Sequence, residues 1–161
     1  YDKPLTKRLF AQLNFDIADN GDFYVSFEAD SLMYRYDLDY NQLVCFGFAG
    51  RDMDLNYLRW DSYDQPWKER LAERMSRGFY NAVEYVDETG LLFRSYRKGG
   101  GSVTDGLQVY RDGVLVGDVD VPLGFRMAGY VAPYYYSYVV PDEEGERLYM
   151  FRFKWPSAPE E

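Results

Sequence analysis

The chain has 161 residues and a net charge of −9, from 27 acidic and 18 basic side chains, and 47% of its residues are hydrophobic. That length and apolar share suit one packed domain and exclude a disordered chain, while the negative balance argues against nucleic acid and anionic lipid as partners. One cysteine and no histidine exclude an internal disulfide, a multi-cysteine or histidine-ligated metal site, and Ser-His-Asp or Cys-His catalysis.

Residues 1–9, with Pro4 and three basic side chains, read as a leading segment. Four strand-length runs follow: AQLNFDI ending at Ile17, FYVSFE from Phe23, LMYRYD from Leu32 and QLVCFGF from Gln42. The gaps between them hold turn-forming residues such as Asn20-Gly21 and Asp30-Ser31. Four antiparallel strands in about 40 residues match one blade of a β-propeller. Cys45, in the alternating LVCFGF, reads as a buried, inert thiol.

Residues 49–63 break the alternation and read as a surface connection. Pro66 then opens a helix over 66–77 that stops at Gly78. Trp67, Leu71 and Met75 recur every fourth residue and predict its core face; Lys68, Arg70, Arg74 and Arg77 predict its solvated face. A second unit runs over 79–121: FYNAVEYV, LLFRSYRK, and a hairpin of two strands around Asp112-Gly113. Gly99 to Gly101 read as a mobile loop that stability does not depend on. A third unit over 130–155 is one strand short, and residues 156–161 form a tail. LMYRYD, LQVYRD and LYMFRF begin alike, which marks an internal repeat and puts Leu107 and Leu148 at core positions.

The fold class expected is therefore all-β: about three four-stranded antiparallel blades (10–48, 79–121, 130–155), half of a six-bladed propeller, with one inserted helix. A three-blade arc leaves blade faces open, so the sequence is expected to belong to a longer chain or to pair with a copy of itself to close the ring.

No motif for catalysis stands out. Asp16 to Gly21 lacks the ligand spacing of a calcium loop, and Lys98 to Ser102 lacks the ending of a phosphate loop. Glu84, Asp87 and Glu88 are the carboxylates best suited to glycoside chemistry, which needs two acids and no histidine; acids at a strand end and turn are, however, far more often solvated than catalytic. Tyr134, Tyr136 and Tyr138 share one face of a strand, with Tyr135 on the other, and form either an aromatic platform for a ligand or core packing. Arg35, Arg94, Arg97, Arg111 and Arg152 recur on strands, as ligand-facing cations or as members of surface ion pairs. The ligand-binding set is thus Tyr134, Tyr136, Tyr138, Arg94 and Arg111, with no catalytic residue, no metal site and no cofactor expected.

The segments FYNAVEYVDETGLLFRSYRK, LQVYRDGVLVGDVDVP and YVAPYYYSYVVPDEEGERLYMFRFKW resemble the C-terminal half of the TolB-like six-bladed β-propeller proteins of Bacteroidetes. Asp112, Leu115, Gly117 and Pro122 occupy the places of a family hairpin, and Phe46, Gly47 and Gly50 those of a Phe-Gly-x-x-Gly ending between blades. The resemblance implies a cell-envelope location, periplasmic or lipid-anchored at the outer membrane, and no established activity. The expectation is a non-enzymatic binding or scaffold protein whose partner is a protein or a carbohydrate, with no nucleic acid and no membrane span. A polysaccharide hydrolase or lyase using paired carboxylates and a structural assembly module are the alternatives.

Overall fold

The computed structural model describes residues 12–58, 64, 66–142 and 144–156. The leading segment, part of the long connection (59–63) and the tail beyond Pro156 lie outside the described residues. The fold is all-β with one short helix and antiparallel sheets. Strands β1 (Leu13–Ile17), β2 (Phe23–Phe27), β3 (Met33–Tyr36) and β4 (Gln42–Phe46) form a first sheet in chain order. After helix α1 (Trp67–Arg77), strands β5 (Gly78–Val86), β6 (Leu91–Lys98), β7 (Asp105–Arg111) and β8 (Val114–Val121) form a second, again in chain order. Strands β9 (Met127–Val131), β10 (Tyr134–Ser137) and β13 (Arg152–Phe153) make a three-stranded third sheet. The short pair β11 (Val140–Pro141) and β12 (Leu148–Tyr149) extends the β10–β13 hairpin. The hairpin expected at Asp112-Gly113 joins β7 to β8, both residues taking the positive φ (51° and 78°) that a tight turn of this hand requires.

The second sheet lies between the other two, and its sequence shows why. In β6, Leu91 and Phe93 point to the third sheet while Leu92, Arg94 and Tyr96 point to the first, and nearly every residue of β6 and β7 is buried. Against the third sheet the packing is apolar: Leu91, Phe93, Leu107 and Val109 meet Phe125, Met127 and Tyr135. Against the first sheet it is mixed: Val83, Leu92 and Tyr110 meet Tyr24 and Met33, with polar groups among them.

Those polar groups lock the chain that leaves the first sheet. Tyr80 Oη donates to Phe48 O and accepts from the Gly50 amide, both at 2.9 Å. The Arg51 amide donates to Tyr96 Oη at 3.0 Å, and Gln108 Nε2 donates to Phe48 O at 3.1 Å. Gly50 is required here because a Cβ would sit 2.6 Å from the Tyr96 ring.

Four expectations are corrected. The helix docks by its charged face: Glu73 is buried and accepts from the Leu58 amide (2.5 Å) and Arg77 Nε (3.1 Å), while Arg74 reaches Glu28 at 2.8 Å and lies 3.7 Å from the Phe79 ring centroid. Trp67 is 62% exposed, with Leu71 and Met75 also on the open side, since the surface offered to α1 carries Glu28 and Asp54 rather than an apolar groove. Cys45 is exposed rather than buried, because its register opposite Tyr34 turns it away from the second sheet. Gly99 and Gly100 are tied down, their amides donating to Asp52 O (3.1 Å) and Ser76 O (2.9 Å). Leu148, finally, is 72% exposed while Leu107 is 1% exposed, because Leu148 falls on the short β11–β12 extension, outside the stacked sheets.

That difference is measurable. Leu107→Ala should cost about 2–5 kcal/mol in urea unfolding, and Leu148→Ala should stay within about 0.5 kcal/mol; equal losses would show that the repeat buries both leucines alike.

Candidate functional site

The first strand of each sheet lies next to the first strand of the following one, β1 against β5 and β5 against β9. Along this line runs an open cleft of about 290 Å³, bordered by Asn14 and Phe15 of β1, Asn81 and Glu84 of β5, and Arg126 and Tyr138 from the third sheet's flanks. The strands are held in place from their edges: Asn14 Nδ2 donates to Tyr80 O at 3.4 Å, and the Tyr85 amide donates to Asp16 Oδ2 at 2.6 Å. These bonds satisfy the edge of β5 that no strand of its own sheet covers.

Asn81 reaches the cleft through a bulge. Tyr80 pairs with Tyr96 and Ala82 with Ser95, so Asn81 is the extra residue, and the bulge turns its side chain out of the ladder. Its Oδ1 is buried without a hydrogen-bond partner. Glu84 is half-buried against the backbone of Gly129, and among the described residues no cation pairs with it. Burial raises its carboxyl from the ordinary 4.5 to about 7, and the negative charge of Asp16 adds to the rise. Arg126 lies 5.4 Å from the Tyr138 ring centroid and has no carboxylate partner among the described residues.

Of the residues singled out in the sequence, Glu84 and Tyr138 border this cleft. Tyr138 leaves the row of tyrosines because the register shifts between Tyr136 and Ser137, the last paired residue of β10, and the Tyr138 amide donates to Arg126 O at 2.8 Å. Tyr134 stays on the outward face of the third sheet, with Arg152 and Lys154 4.8 and 5.2 Å from its ring centroid, and Tyr136 is paired across from Arg152. Tyr135 is the core member of the row. The three expected platform residues therefore do not form one surface. Asp87 is not a partner for Glu84 either: it sits past the end of β5, and its Oδ1 accepts from the Asp19 amide at 3.0 Å. Glu88 is in the same turn.

Among the arginines, Arg35 pairs with Asp22 and Arg97 with Asp105 (3.4 Å). Arg111, at the turn end of β7, is half-buried and outside the cleft. Arg94 is a correction. It has no exposed surface; its Nε donates to Ser26 Oγ at 2.8 Å and its Nη1 to Ser31 O at 2.7 Å, with Nη2 directed at the carbonyls of Phe27, Asp30 and Leu32. The Tyr80 ring lies 3.2 Å from the guanidinium, and burial lowers its pKa to about 10, so it stays charged at neutral pH. A ligand has no access to it. Asn14, Asn81 and Arg126 were not singled out in the sequence: two gain their place through a sheet edge and a bulge, and the third from a connecting loop.

Among the described residues no helix is long and apolar enough to cross a membrane, and no cluster of three or more acidic, cysteine or histidine side chains is placed to hold a metal ion. No family model matches the chain, and no match was found among curated proteins. Among solved structures, the chain is similar to a member of the DUF4221 family from Bacteroides vulgatus ATCC 8482, with a TM-score of 0.51 and 11% sequence identity over 76% of this chain. It shares its fold with a Bacteroides protein. The chain spans only 36% of that protein's length.

Two outcomes test the electrostatics. Arg94→Met should cost about 3 kcal/mol or more in urea unfolding, because it strands the carbonyls that the guanidinium satisfies; a loss under about 1 kcal/mol would show that they find other donors. Glu84 has a higher pKa folded than unfolded, so its contribution to stability is complete below about pH 4.5 and lost as pH rises through 7. Glu84→Gln should therefore gain about 1–2 kcal/mol relative to wild type between pH 5 and 8, a figure reduced for partial solvent screening. A stability difference that does not change over that range would refute the burial of this carboxyl.

Proposed function

We propose that the chain forms three successive blades of a β-propeller of the TolB-like kind found in Bacteroidetes, and that it acts in the cell envelope as a non-enzymatic binding scaffold. The observation that carries the reading is the line of adjacent first strands, β1, β5 and β9, along an open cleft. In a propeller the first strand of each blade borders the central axis, where a ligand meets several blades at once. The two four-stranded sheets in meander order agree with this, as does the three-stranded third. The envelope location rests on the sequence resemblance to TolB-like proteins; the likeness to the Bacteroides protein supports the fold.

The cleft favours binding over hydrolysis. A glycosidase of the common kind needs two carboxyl groups flanking one bond, about 5–9.5 Å apart. Glu84 borders the cleft, while Asp16 has Oδ2 taken by the Tyr85 amide and Oδ1 by the Ile17 amide (2.9 Å), and Asp87 is engaged at the β1–β2 turn. The remaining polar groups, two amides and a guanidinium, are recognition groups.

The test is a thermal-shift and turnover screen of the chain against a panel of envelope polysaccharides and their oligosaccharides, together with pull-down of protein partners. A ligand or partner that binds without being consumed, and that loses affinity in Arg126→Ala, is the expected result. Product release that disappears in Glu84→Gln would replace this reading with the hydrolase one, and binding indifferent to every cleft substitution would move the scaffold's working surface elsewhere.

A further inference from the structure

Resting on the binding reading above, we infer that the cleft between β1, β5 and β9 is a subsite for a neutral, hydroxyl-rich ring, a single pyranose or the end of a glycan.

The cleft carries groups that a folded protein does not leave idle without cause. Buried polar atoms are nearly always hydrogen-bonded, and each exception calls for an explanation. Asn81 Oδ1 is such an exception: a β-bulge places Asn81 at the border of the cleft, with this oxygen just beneath the surface. Around it stand Asn14, whose Nδ2 is spent on Tyr80 O, and Glu84 and Arg126, which among the described residues have no ion-pair partner. All four are planar groups, and together they offer both donors and acceptors.

The balance of charge decides the class of ligand. An anion would meet Arg126 but also Glu84, with Asp16 behind it on β1; a cation would meet the reverse arrangement. One guanidinium and one carboxyl that titrates near neutrality leave no strong field of either sign, and a neutral partner is not penalised by either group. Hydroxyls fit this set because each both donates and accepts. A carboxyl held near pH 7 offers a donor in one state and acceptors in the other. The walls add the apolar part: Phe15 is 59% and Tyr138 51% exposed, on elements from opposite sides of β5, and aromatic rings pack against the C–H faces of sugars. Size sets the length. About 290 Å³ falls at the lower limit of ligand sites, which run from roughly 300 to 1,000 Å³, and admits one ring or two, not a long chain.

The experiment is a titration of the isotopically labelled chain with methyl glycosides of glucose, galactose, mannose and N-acetylglucosamine at millimolar concentration, with sodium acetate and methylammonium chloride as charged probes. The side-chain amide signals of Asn14 and Asn81 and the Arg126 Nε–H signal are followed. At least one glycoside is expected to shift these three together, with the outward-facing Arg152 Nε–H signal unmoved, and to bind at least about tenfold more weakly to Asn81→Ala and Arg126→Ala. Since Asn81→Ala also alters a bulge, Tyr138→Leu serves as a second variant: it leaves β5 untouched and should weaken binding by a similar factor. Movement of the three signals by acetate or methylammonium, and by no glycoside, would overturn the neutral class. If no probe moved them while a polysaccharide or protein bound the chain in the wider screen, the sugar subsite would fall and the scaffold reading would stand. If the wider screen also found no binder, both would fall.

Discussion

A single buried cation sets how the first sheet sits on the second. Arg94 rises from the middle of β6 and spends its guanidinium on Ser26 and on the carbonyls that close the β2–β3 turn, under the ring of Tyr80. A charge removed from water is tolerable only when its donors are engaged, and here the acceptors are backbone atoms whose positions the turn fixes. The arrangement is therefore directional: sliding or rotating one sheet over the other would strand a charge and several carbonyls together. Tyr80, Tyr96 and Gln108 extend the same interface by holding the chain at Phe48 to Arg51. Apolar packing supplies adhesion on the third-sheet side, and hydrogen bonding supplies register on the first-sheet side.

The cleft is a product of that register. With the first sheet fixed, β1 lies beside β5, and Asn14 and Asp16 satisfy backbone groups along the β5 edge. Two polar residues of β5 then border the cleft, Asn81 by its bulge and Glu84 half-buried beside Gly129. The chemistry of the site thus comes from an inner strand that gives up some of its own ladder regularity. An apolar residue at either position would close the line of strands without leaving a polar group unpaired.

Much of the architecture was legible in the sequence. Strand-length runs separated by Asp-Gly and Asn-Gly turns gave the two four-stranded sheets and the shorter third, and the helix starts and stops at its expected proline and glycine. What failed was the assignment of faces. The spacing of Trp67, Leu71 and Met75 marks an apolar stripe but says nothing of what the neighbouring surface carries, and Glu28 and Asp54 drew the charged stripe inward. Cys45 and Leu148 went wrong for the same reason, since alternation defines two faces without saying which one a second sheet will cover. Arg94 is expected at a ligand from its place on a strand, yet the stacking of the sheets buries it. The site was half visible: Glu84 stands out in the sequence as a candidate acid and Tyr138 as a candidate platform residue, whereas a bulge of one residue leaves no trace in composition or period, so Asn81 does not.

The second sheet is the one among those described that has both faces covered, with Arg94 and three tyrosines on one side and an apolar, aromatic-rich cluster on the other. Opening it requires both neighbours to leave, while either neighbour can loosen by giving up one interface. The molecule therefore has a graded rigidity, stiffest in β6 and β7 and softer toward both ends of the stack. The cleft follows the seams of this gradient, with one wall on the stiff sheet and the other two on the softer ones. The Arg94 lock holds the first sheet to this middle, so of the two outer walls of the cleft the one on the third sheet, held by apolar packing, has the greater freedom to shift.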